Sequence, residues 1–341
     1  MLVWIAFVAF ILLLLAIDLG LFHRNAHVVS AREGFAWSIV WAALALTFAL
    51  FIFNAYEHKW LGLGRHIDPV EHSAAAPAGV ALDGRSAVIK YLAGYVVELS
   101  LSVDNMFVMA MLFKSFAVPA VYQHRVLYWG ILGALGMRAA MIGIGATLIA
   151  KFAWILYVFG AFLIFTAVKM LLMDTEEHKP QHNLIVRLTR RFFPVTRKHY
   201  REHFVIRRGR RVLLTPLALA LVMVETTDLM FAVDSIPAIF AITADPFLVF
   251  ASNAFAILGL RSLYFVLASA LRMFRYLKVS LAIVLAMVGA KMLAHDWLGE
   301  QLGDAANLYV LGAIVTTLAA GALLSLLVRA PDDRDGARSR A

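Results

Sequence analysis

Two stretches of this chain repeat one another: Glu98-Leu-Ser-Leu-Ser-Val-Asp-Asn105 and Asp228-Leu-Met-Phe-Ala-Val-Asp-Ser235. Glu225 lies one helical turn before the second stretch. Both stretches place acids inside an otherwise apolar helix, where a carboxylate costs about 2.5–3.5 kcal/mol when the helix enters a membrane. Five acids at such positions need a compensating partner, and a cation is the obvious one.

The composition places these stretches in a membrane protein. Of the 341 residues, 62% are hydrophobic and 16% are charged, whereas about 25% of a soluble domain is charged. Apolar stretches of about 20 residues, the length that a bilayer core requires, recur from end to end. The sequence therefore predicts an all-α integral membrane protein with about nine transmembrane helices. It contains no cysteine, which excludes disulfide bonds and thiolate metal sites.

The predicted spans divide the chain into seven segments. These are two N-terminal flanking helices over 1–54, an external loop over 55–87, a first three-helix repeat over 88–173, a basic cytoplasmic loop over 174–212, a second three-helix repeat over 213–295, a C-terminal helix over 306–328 and a disordered cytoplasmic tail over 329–341.

The repeat extends beyond the acidic helices. Gly136-Met-Arg138 in the fourth span matches Gly259-Leu-Arg261 in the seventh, and Lys169-Met-Leu171 in the fifth matches Lys291-Met-Leu293 in the eighth. Acid, arginine and lysine thus recur in the same order on three consecutive helices. Because three is odd, the second unit enters the membrane from the opposite side. This predicts an inverted repeat, which is typical of secondary transporters with a site near the membrane midplane.

The charge distribution predicts the orientation. The formal net charge is +9, but the basic residues cluster in loops on alternate sides, which is the positive-inside pattern and not a nucleic-acid interface. We therefore expect a multi-pass protein of the bacterial inner membrane with its N-terminus outside and its C-terminus in the cytoplasm. The basic loop also contains phenylalanines. Two interpretations of this loop are equally compatible with its sequence: part of it lies against anionic membrane lipids, or the whole loop is simply solvated.

The spacing of the acids limits how they can meet. Glu98 and Asp104 are six residues apart, as are Asp228 and Asp234, and six residues turn a straight helix by about 240°. The acids therefore form either two sub-sites or one site between locally broken helices. Pro237 favours a break in the sixth span, because it frees a backbone carbonyl beside Asp234.

The candidate ligands are carboxylate, amide and hydroxyl oxygens, which suit Mg²⁺, Ca²⁺ and Mn²⁺. The predicted metal ligands are Glu98, Asp104, Asn105, Glu225, Asp228, Asp234 and Ser235.

The alternative interpretation is that these acids only pair with basic residues of the bundle. The candidates for charge pairing are Arg138, Arg261, Lys169 and Lys291. The two arginines are central and are expected to neutralise acids in the unloaded protein. The two lysines lie near span ends, where the ammonium group commonly extends to the membrane surface.

Three strings of this sequence resemble the TerC/Alx family of bacterial integral membrane proteins. They are Glu98–Asn105, the string Glu225-Thr-Thr-Asp-Leu-Met-Phe-Ala-Val-Asp-Ser-Ile-Pro-Ala-Ile-Phe-Ala-Ile-Thr243 and the string Ser252-Asn-Ala-Phe-Ala-Ile-Leu-Gly-Leu-Arg261. The resemblance covers nearly the whole chain. It implies a fold related to the LysE-type transporter superfamily and a role in exporting Mn²⁺ from the cytoplasm. The acidic positions of the family correspond here to Glu98, Asp104, Glu225, Asp228 and Asp234. The family takes its name from tellurite resistance.

The leading hypothesis is a secondary transporter, not an enzyme, that binds no cofactor and exports divalent metal, most readily Mn²⁺. Exchange of the metal for inward protons is a further hypothesis. A non-transporting membrane partner for metal delivery or tellurite resistance is the alternative. An intramembrane aspartyl protease fits less well, because the chain has five such acids, a repeat and no Gly-x-Gly-Asp string. The residues leave open the coupling ion, the oligomeric state and the choice among Mn²⁺, Ca²⁺ and Fe²⁺.

Overall fold

The structure is a computed structural model that describes most of the chain. The described residues are 2–18, 30–65, 67–68, 70, 80–152, 154–172, 189, 194–196, 200, 203–208, 211–268, 276–294 and 305–327. The predicted tail over 329–341 and most of the basic loop over 174–212 lie outside them.

Nine long helices account for most of the described residues, and seven of them are long and apolar enough to cross a membrane. They are α1 (Leu2–Ile17), α2 (Ala31–Glu57), α3 (Gly84–Ser115), α4 (Ala120–Lys151), α5 (Ile155–Leu172), α6 (Pro216–Phe240), α7 (Pro246–Ala268), α8 (Leu277–Leu293) and α9 (Ala305–Leu327). The predicted all-α membrane architecture is confirmed.

Capping residues set the beginnings of three helices. The side chains of Ser30, Asp83 and Thr215 accept hydrogen bonds from backbone N–H groups in the first turns of α2, α3 and α6, which compensates donors that have no partner within the helix. The sequence predicts the start of the sixth span at about residue 213, and the helix itself begins at Pro216. Residues up to Leu214 form a strand, and α6 begins at Pro216 because Thr215 caps it and proline suits the first helical position.

Two short hairpins lie in segments that the sequence predicted only as loops. Between α2 and α3, β1 (Ile67–Asp68) pairs with β2 (Val80–Ala81), and a 3₁₀ turn over Trp60–Gly62 precedes them. Before α6, β3 (Val205–Arg208) pairs antiparallel with β4 (Arg211–Leu214). Both hairpins are too short to form an independent core.

The helices of the two predicted repeats interleave. Helix α3 packs on α7, α4 packs on α6, and α5 packs along α8. In the predicted repeat, α3, α4 and α5 correspond to α6, α7 and α8. A two-fold axis that relates the two units then maps the α3–α7 pair onto the α6–α4 pair. The same axis maps the α5–α8 pair onto itself. Helices α1 and α2 pack on α7, and α9 packs on α8 and α3.

Helix α7 lies at the centre of the bundle. Every residue from 247 to 262 is buried, on all faces of the helix. A helix in that position is surrounded by protein, so any polar side chain on it must find a partner inside the bundle.

Helices α5 and α8 touch through their backbones. A Cβ atom on Gly289 would lie 2.8 Å from the carbonyl oxygen of Gly160, and a Cβ atom on Gly160 would lie 3.0 Å from that of Gly289. Such close approach is typical of small residues at membrane helix interfaces, where dispersion contacts replace the hydrophobic effect as the driving force.

We expect Gly289→Ala to destabilise the protein by about 1–3 kcal/mol, because the added methyl group forces the two helices apart. Thermal unfolding in detergent measures the effect. Gly312→Ala in α9 is the matched control, since a Cβ atom there meets nothing within 4 Å. Equal melting temperatures for the two variants would contradict the close contact.

A buried ion pair fastens the segment between α2 and α3 to the bundle. Lys90 Nζ lies 2.8 Å from Asp68 Oδ2, and Asp68 also accepts hydrogen bonds from Thr243 Oγ1 at 2.6 Å, Ala244 N at 3.0 Å and Val70 N at 3.0 Å. Burial alone would raise the pKa of Asp68, but the Lys90 ammonium and these hydrogen bonds outweigh it and hold the pKa below its usual range. Asp68 therefore joins β1, α3 and the connection between α6 and α7.

Candidate metal site

The Arg138 side chain of α4 lies between two buried carboxylates from different repeats. Its Nη1 donates to Glu98 Oε1 of α3, while Nε and Nη2 lie 3.4 Å and 3.3 Å from the two carboxylate oxygens of Asp228 on α6. Arg138, Glu98 and Asp228 are 1%, 0% and 3% exposed. Charges at such depth require compensation, and here each carboxylate receives it from the same guanidinium.

Neutral oxygen-bearing side chains complete this cluster. Arg138 Nη1 also lies 2.7 Å from Asn253 Oδ1 of α7 and 3.3 Å from Ser235 Oγ. Asn105 Nδ2 donates to Asp228 Oδ1 at 3.0 Å, and Ser102 Oγ donates to Glu98 Oε1 at 3.2 Å. The Arg138 cluster is therefore defined as Glu98, Ser102, Asn105, Arg138, Asp228, Ser235 and Asn253.

Helical spacing explains how two helices supply most of the cluster. Glu98, Ser102 and Asn105 follow one another at intervals of four and three residues, so they share one face of α3. Asp228 and Ser235 are seven residues apart, or two turns, and share one face of α6. The packing of α3 against α6 brings these two polar faces together.

The cluster has unused oxygen atoms and unbalanced charge. Within the described part of the chain, Glu98 Oε2 and Asn105 Oδ1 are buried without a hydrogen-bond partner, an arrangement that costs free energy unless something compensates it. Two carboxylates face one guanidinium, which leaves one negative charge over. Carboxylate, amide and hydroxyl oxygens from three helices are the ligand types that hard divalent cations prefer.

The remaining predicted acids are placed elsewhere. Asp234 is half-buried, accepts a hydrogen bond from Thr166 Oγ1 of α5 at 3.3 Å and lies within electrostatic range of Lys169. Glu225 is half-buried, and its carboxylate packs where a side chain at Gly133 of α4 would lie. The side chain of Asp104 lies outside the described residues.

The structure does not gather the acids into one group. Among the described residues, no three Asp, Glu or His side chains approach closely enough to hold one ion. The expected break at Pro237 is absent, because α6 continues through this residue to Phe240. Pro237 falls in the last turn, where it removes a single hydrogen bond and the helix tolerates it. One site between locally broken helices therefore does not fit the described residues, and the number of sub-sites stays a prediction.

The arginines that correspond in the two repeats have different partners. Arg261 of α7 pairs with Asp18, which directly follows α1, outside the repeats. Arg261 nevertheless lines the same small apolar cavity as Asp228. Lys291 is buried and donates to the carbonyl oxygen of Ala241 at 3.3 Å, at the end of α6, instead of extending to the membrane surface.

Sequence reasoning assigned no role to Asn253 and did not pair Asp18 with Arg261. Asn253 lies within the Ser252–Arg261 string, and an amide in the middle of an apolar span is itself a signal, because it needs a partner in the bundle. The pairing of Asp18 had no such signal, since it depends on how α1 packs against α7.

Residues 83–333 match the sequence profile of a family described as "Integral membrane protein TerC family". The chain belongs to the TerC family. It is 45% identical over 294 residues to "Uncharacterized membrane protein STKORF319" of Myxococcus xanthus, covering 86% of this chain and 84% of the relative. It is 44% identical over 297 residues to "Putative membrane-bound redox modulator Alx" of Escherichia coli K12, covering 87% of each chain. No solved structure significantly matches this TerC protein.

Proposed function

We propose that this TerC protein is a secondary transporter that exports a divalent metal cation, most readily Mn²⁺, across the bacterial inner membrane. The observation that carries the proposal is the meeting of Glu98 and Asp228, one from each repeat, deep inside the bundle with oxygen atoms left over. Buried acids in membrane helices mark ion pathways by default, since their cost is high and a structural role can be filled by apolar residues.

The ligands in this proposal are Glu98, Asn105 and Asp228, with Ser235 beside them. A cation that binds Glu98 Oε2 and Asn105 Oδ1 satisfies two buried atoms that have no hydrogen-bond partner in the described part of the protein. Oxygen ligands suit Mg²⁺, Ca²⁺ and Mn²⁺ alike. The choice of Mn²⁺ rests on the resemblance of the three sequence strings to TerC/Alx proteins.

The proposed mechanism is alternating access. The two units of three helices rock against each other around the Arg138 cluster, so that the site faces the cytoplasm and the outside in turn. Glu225, half-buried and three residues before Asp228 on α6, attracts cations towards the cluster. Inward movement of protons drives the outgoing metal in this proposal. The basic loop and the C-terminus lie in the cytoplasm in this proposal, and the N-terminus lies outside.

Transport fits the cluster better than peptide hydrolysis does. An aspartyl protease needs two carboxyl groups in direct contact that share one proton. Here a guanidinium lies between the Glu98 and Asp228 carboxylates and binds both, so the two carboxyl groups are not in direct contact with each other.

The name of the Escherichia coli relative describes a redox modulator. The present chain has no cysteine, so thiol–disulfide exchange between its own side chains is not available to it. We propose that a redox effect of this protein is exerted through the metal that it transports.

Metal counterflow tests the proposal. Liposomes containing the purified protein and loaded with unlabelled Mn²⁺ are expected to accumulate external labelled Mn²⁺ well above protein-free liposomes, because one site exchanges the ion across the membrane. A panel of Mg²⁺, Ca²⁺, Fe²⁺ and Zn²⁺ as competitors defines selectivity. A non-transporting partner for metal delivery or tellurite resistance would bind metal without counterflow, so absence of uptake for every ion contradicts the proposal.

A further inference from the structure

The Arg138 guanidinium occupies the place between the two carboxylates that a metal ion would have to take. It engages both oxygens of Asp228 and one oxygen of Glu98. Ligand atoms that already accept these bonds cannot bind a metal at full strength, since each would have to share its lone pairs with a competing cation. Metal and guanidinium therefore exclude one another at these three oxygen atoms.

We propose that Arg138 is a tethered substitute for the transported cation: it neutralises Glu98 and Asp228 while the site is empty and releases them when metal binds. This inference rests on the proposed function. It concerns the return of the empty site to the side of the membrane from which metal is taken up, a step that the proposed function does not explain.

Charge counting supports an alternation between the two cations. With a divalent ion between them, Glu98 and Asp228 are fully neutralised. With Arg138 between them, one negative charge remains, and without either cation two negative charges face each other at positions that are 0% and 3% exposed. Removing one partner of a buried ion pair is strongly unfavourable. Without Arg138, the empty site could therefore not be buried in the bundle while the transporter returns. With Arg138 between the carboxylates, the empty site can be buried and the transporter can return.

The hydrogen bonds of Arg138 fit a group that must leave and return. Besides the carboxylates, Nη1 contacts Asn253 Oδ1 at 2.7 Å and Ser235 Oγ at 3.3 Å. Both are neutral acceptors on α6 and α7, the opposite repeat from that of Arg138. When metal takes the carboxylates, these acceptors still offer the guanidinium hydrogen bonds, so its displacement does not leave its N–H groups without acceptors.

Two flux measurements at equal pH on both sides separate this role from a structural one. Exchange of Mn²⁺ for Mn²⁺ needs only the loaded site to cross the membrane, whereas net flux from loaded liposomes into metal-free buffer also needs the empty site to return. We expect Arg138→Gln to retain exchange while net flux falls at least about tenfold. Equilibrium binding of Mn²⁺ to the purified variant is expected to tighten, because the competing guanidinium is gone.

Arg261→Gln is the matched control, since it removes a second arginine that is buried in the described part of the chain and whose ion pair with Asp18 ties α7 to the end of α1. A loss of structure lowers both fluxes in the same proportion, so the ratio of net flux to exchange is expected to stay at the wild-type value in this variant. Arg138→Lys, which keeps the charge, is expected to restore part of the net flux.

Each outcome decides a different claim. An unchanged ratio of net flux to exchange in Arg138→Gln overturns the role of Arg138 and leaves the proposed function in place. If Arg138→Gln does not fold and Arg138→Lys shows weaker Mn²⁺ binding with an unchanged flux ratio, Arg138 is a structural residue and the inference is wrong. If the wild-type protein shows neither flux, it is the proposed function that fails.

Discussion

Asp228→Asn is expected to reduce Mn²⁺ counterflow by at least about 100-fold, since losing even an indirect supporter of a metal site costs about 10–100-fold and Asp228 is a proposed ligand. Asparagine keeps the size of the side chain and an oxygen acceptor for Arg138. It removes the negative charge that, with that of Glu98, balances a divalent cation. The measurement is labelled Mn²⁺ uptake into loaded liposomes, with protein amount and gel-filtration profile checked for each variant.

Two further Asp→Asn substitutions sharpen this test. Asp83→Asn at the N-cap of α3 is the control, because asparagine caps as well as aspartate and the site is remote. Asp234→Asn separates one site from two sub-sites. If Asp234 belongs to a second metal-binding site on the pathway, Asp234→Asn also loses exchange. If Asp234→Asn retains exchange, the metal ligands lie in the Arg138 cluster alone. Wild-type counterflow in Asp228→Asn would contradict the assignment of the metal site.

Lys90→Met is expected to destabilise the protein by about 3–5 kcal/mol, because it leaves the buried Asp68 carboxylate without its cation. Asp68 and Lys90 are 2% and 1% exposed, so water cannot replace the lost partner. Thermal unfolding in detergent measures the loss. Lys114→Met, an exposed position in the last turn of the same helix, is the control and should change stability by less than about 0.5 kcal/mol.

The loss of stability in Lys90→Met is expected to depend on pH, and the pKa of Asp68 gives the direction of that dependence. The folded protein holds the pKa of Asp68 below its usual range, so the ion pair stabilises the fold above the unfolded-state pKa of about 3.9 and this contribution is lost as pH falls through the folded pKa. In Lys90→Met, burial acts without the opposing ammonium, so the variant gains stability as acid protonates Asp68. The difference between the two proteins should therefore shrink below about pH 5. A constant difference across this range would show that Lys90 acts through packing alone.

The sequence was sufficient for the architecture because membrane helices are encoded locally. Length and apolarity identify a span without knowledge of its neighbours, and local signals such as Asp83 before α3 or Thr215 with Pro216 before α6 determine where helices begin. The start of the sixth span lies at Pro216 and not at residue 213, because a short, mostly apolar strand, Arg211–Leu214, directly precedes α6. Over only a few positions, an apolar sequence does not distinguish a strand from a helix.

The grouping of the acids depended on packing and could not be read from the repeat. Symmetry treats Arg138 and Arg261 as equivalent, yet Arg138 faces Glu98 and Asp228 while Arg261 faces Asp18. The difference arises because α1, which has no counterpart in the repeat, packs against α7. Helical spacing left open whether Asp234 and Asp228 would diverge, since two positions six residues apart share one face only where the helix is broken.

The backbone contact between Gly160 and Gly289 restricts how this protein can change shape. At this contact the backbone carbonyl of each glycine lies against the Cα atom of the other, and no side chains lie between the two helices that could rearrange. Helices α5 and α8 therefore move together as a rigid pair. Rocking of the two units must then pivot about this contact, so that α4 and α6 move further relative to each other than α5 and α8 do. Spin labels on the outer faces of α5 and α8 should keep a fixed separation with and without Mn²⁺, while labels on α4 and α6 should not.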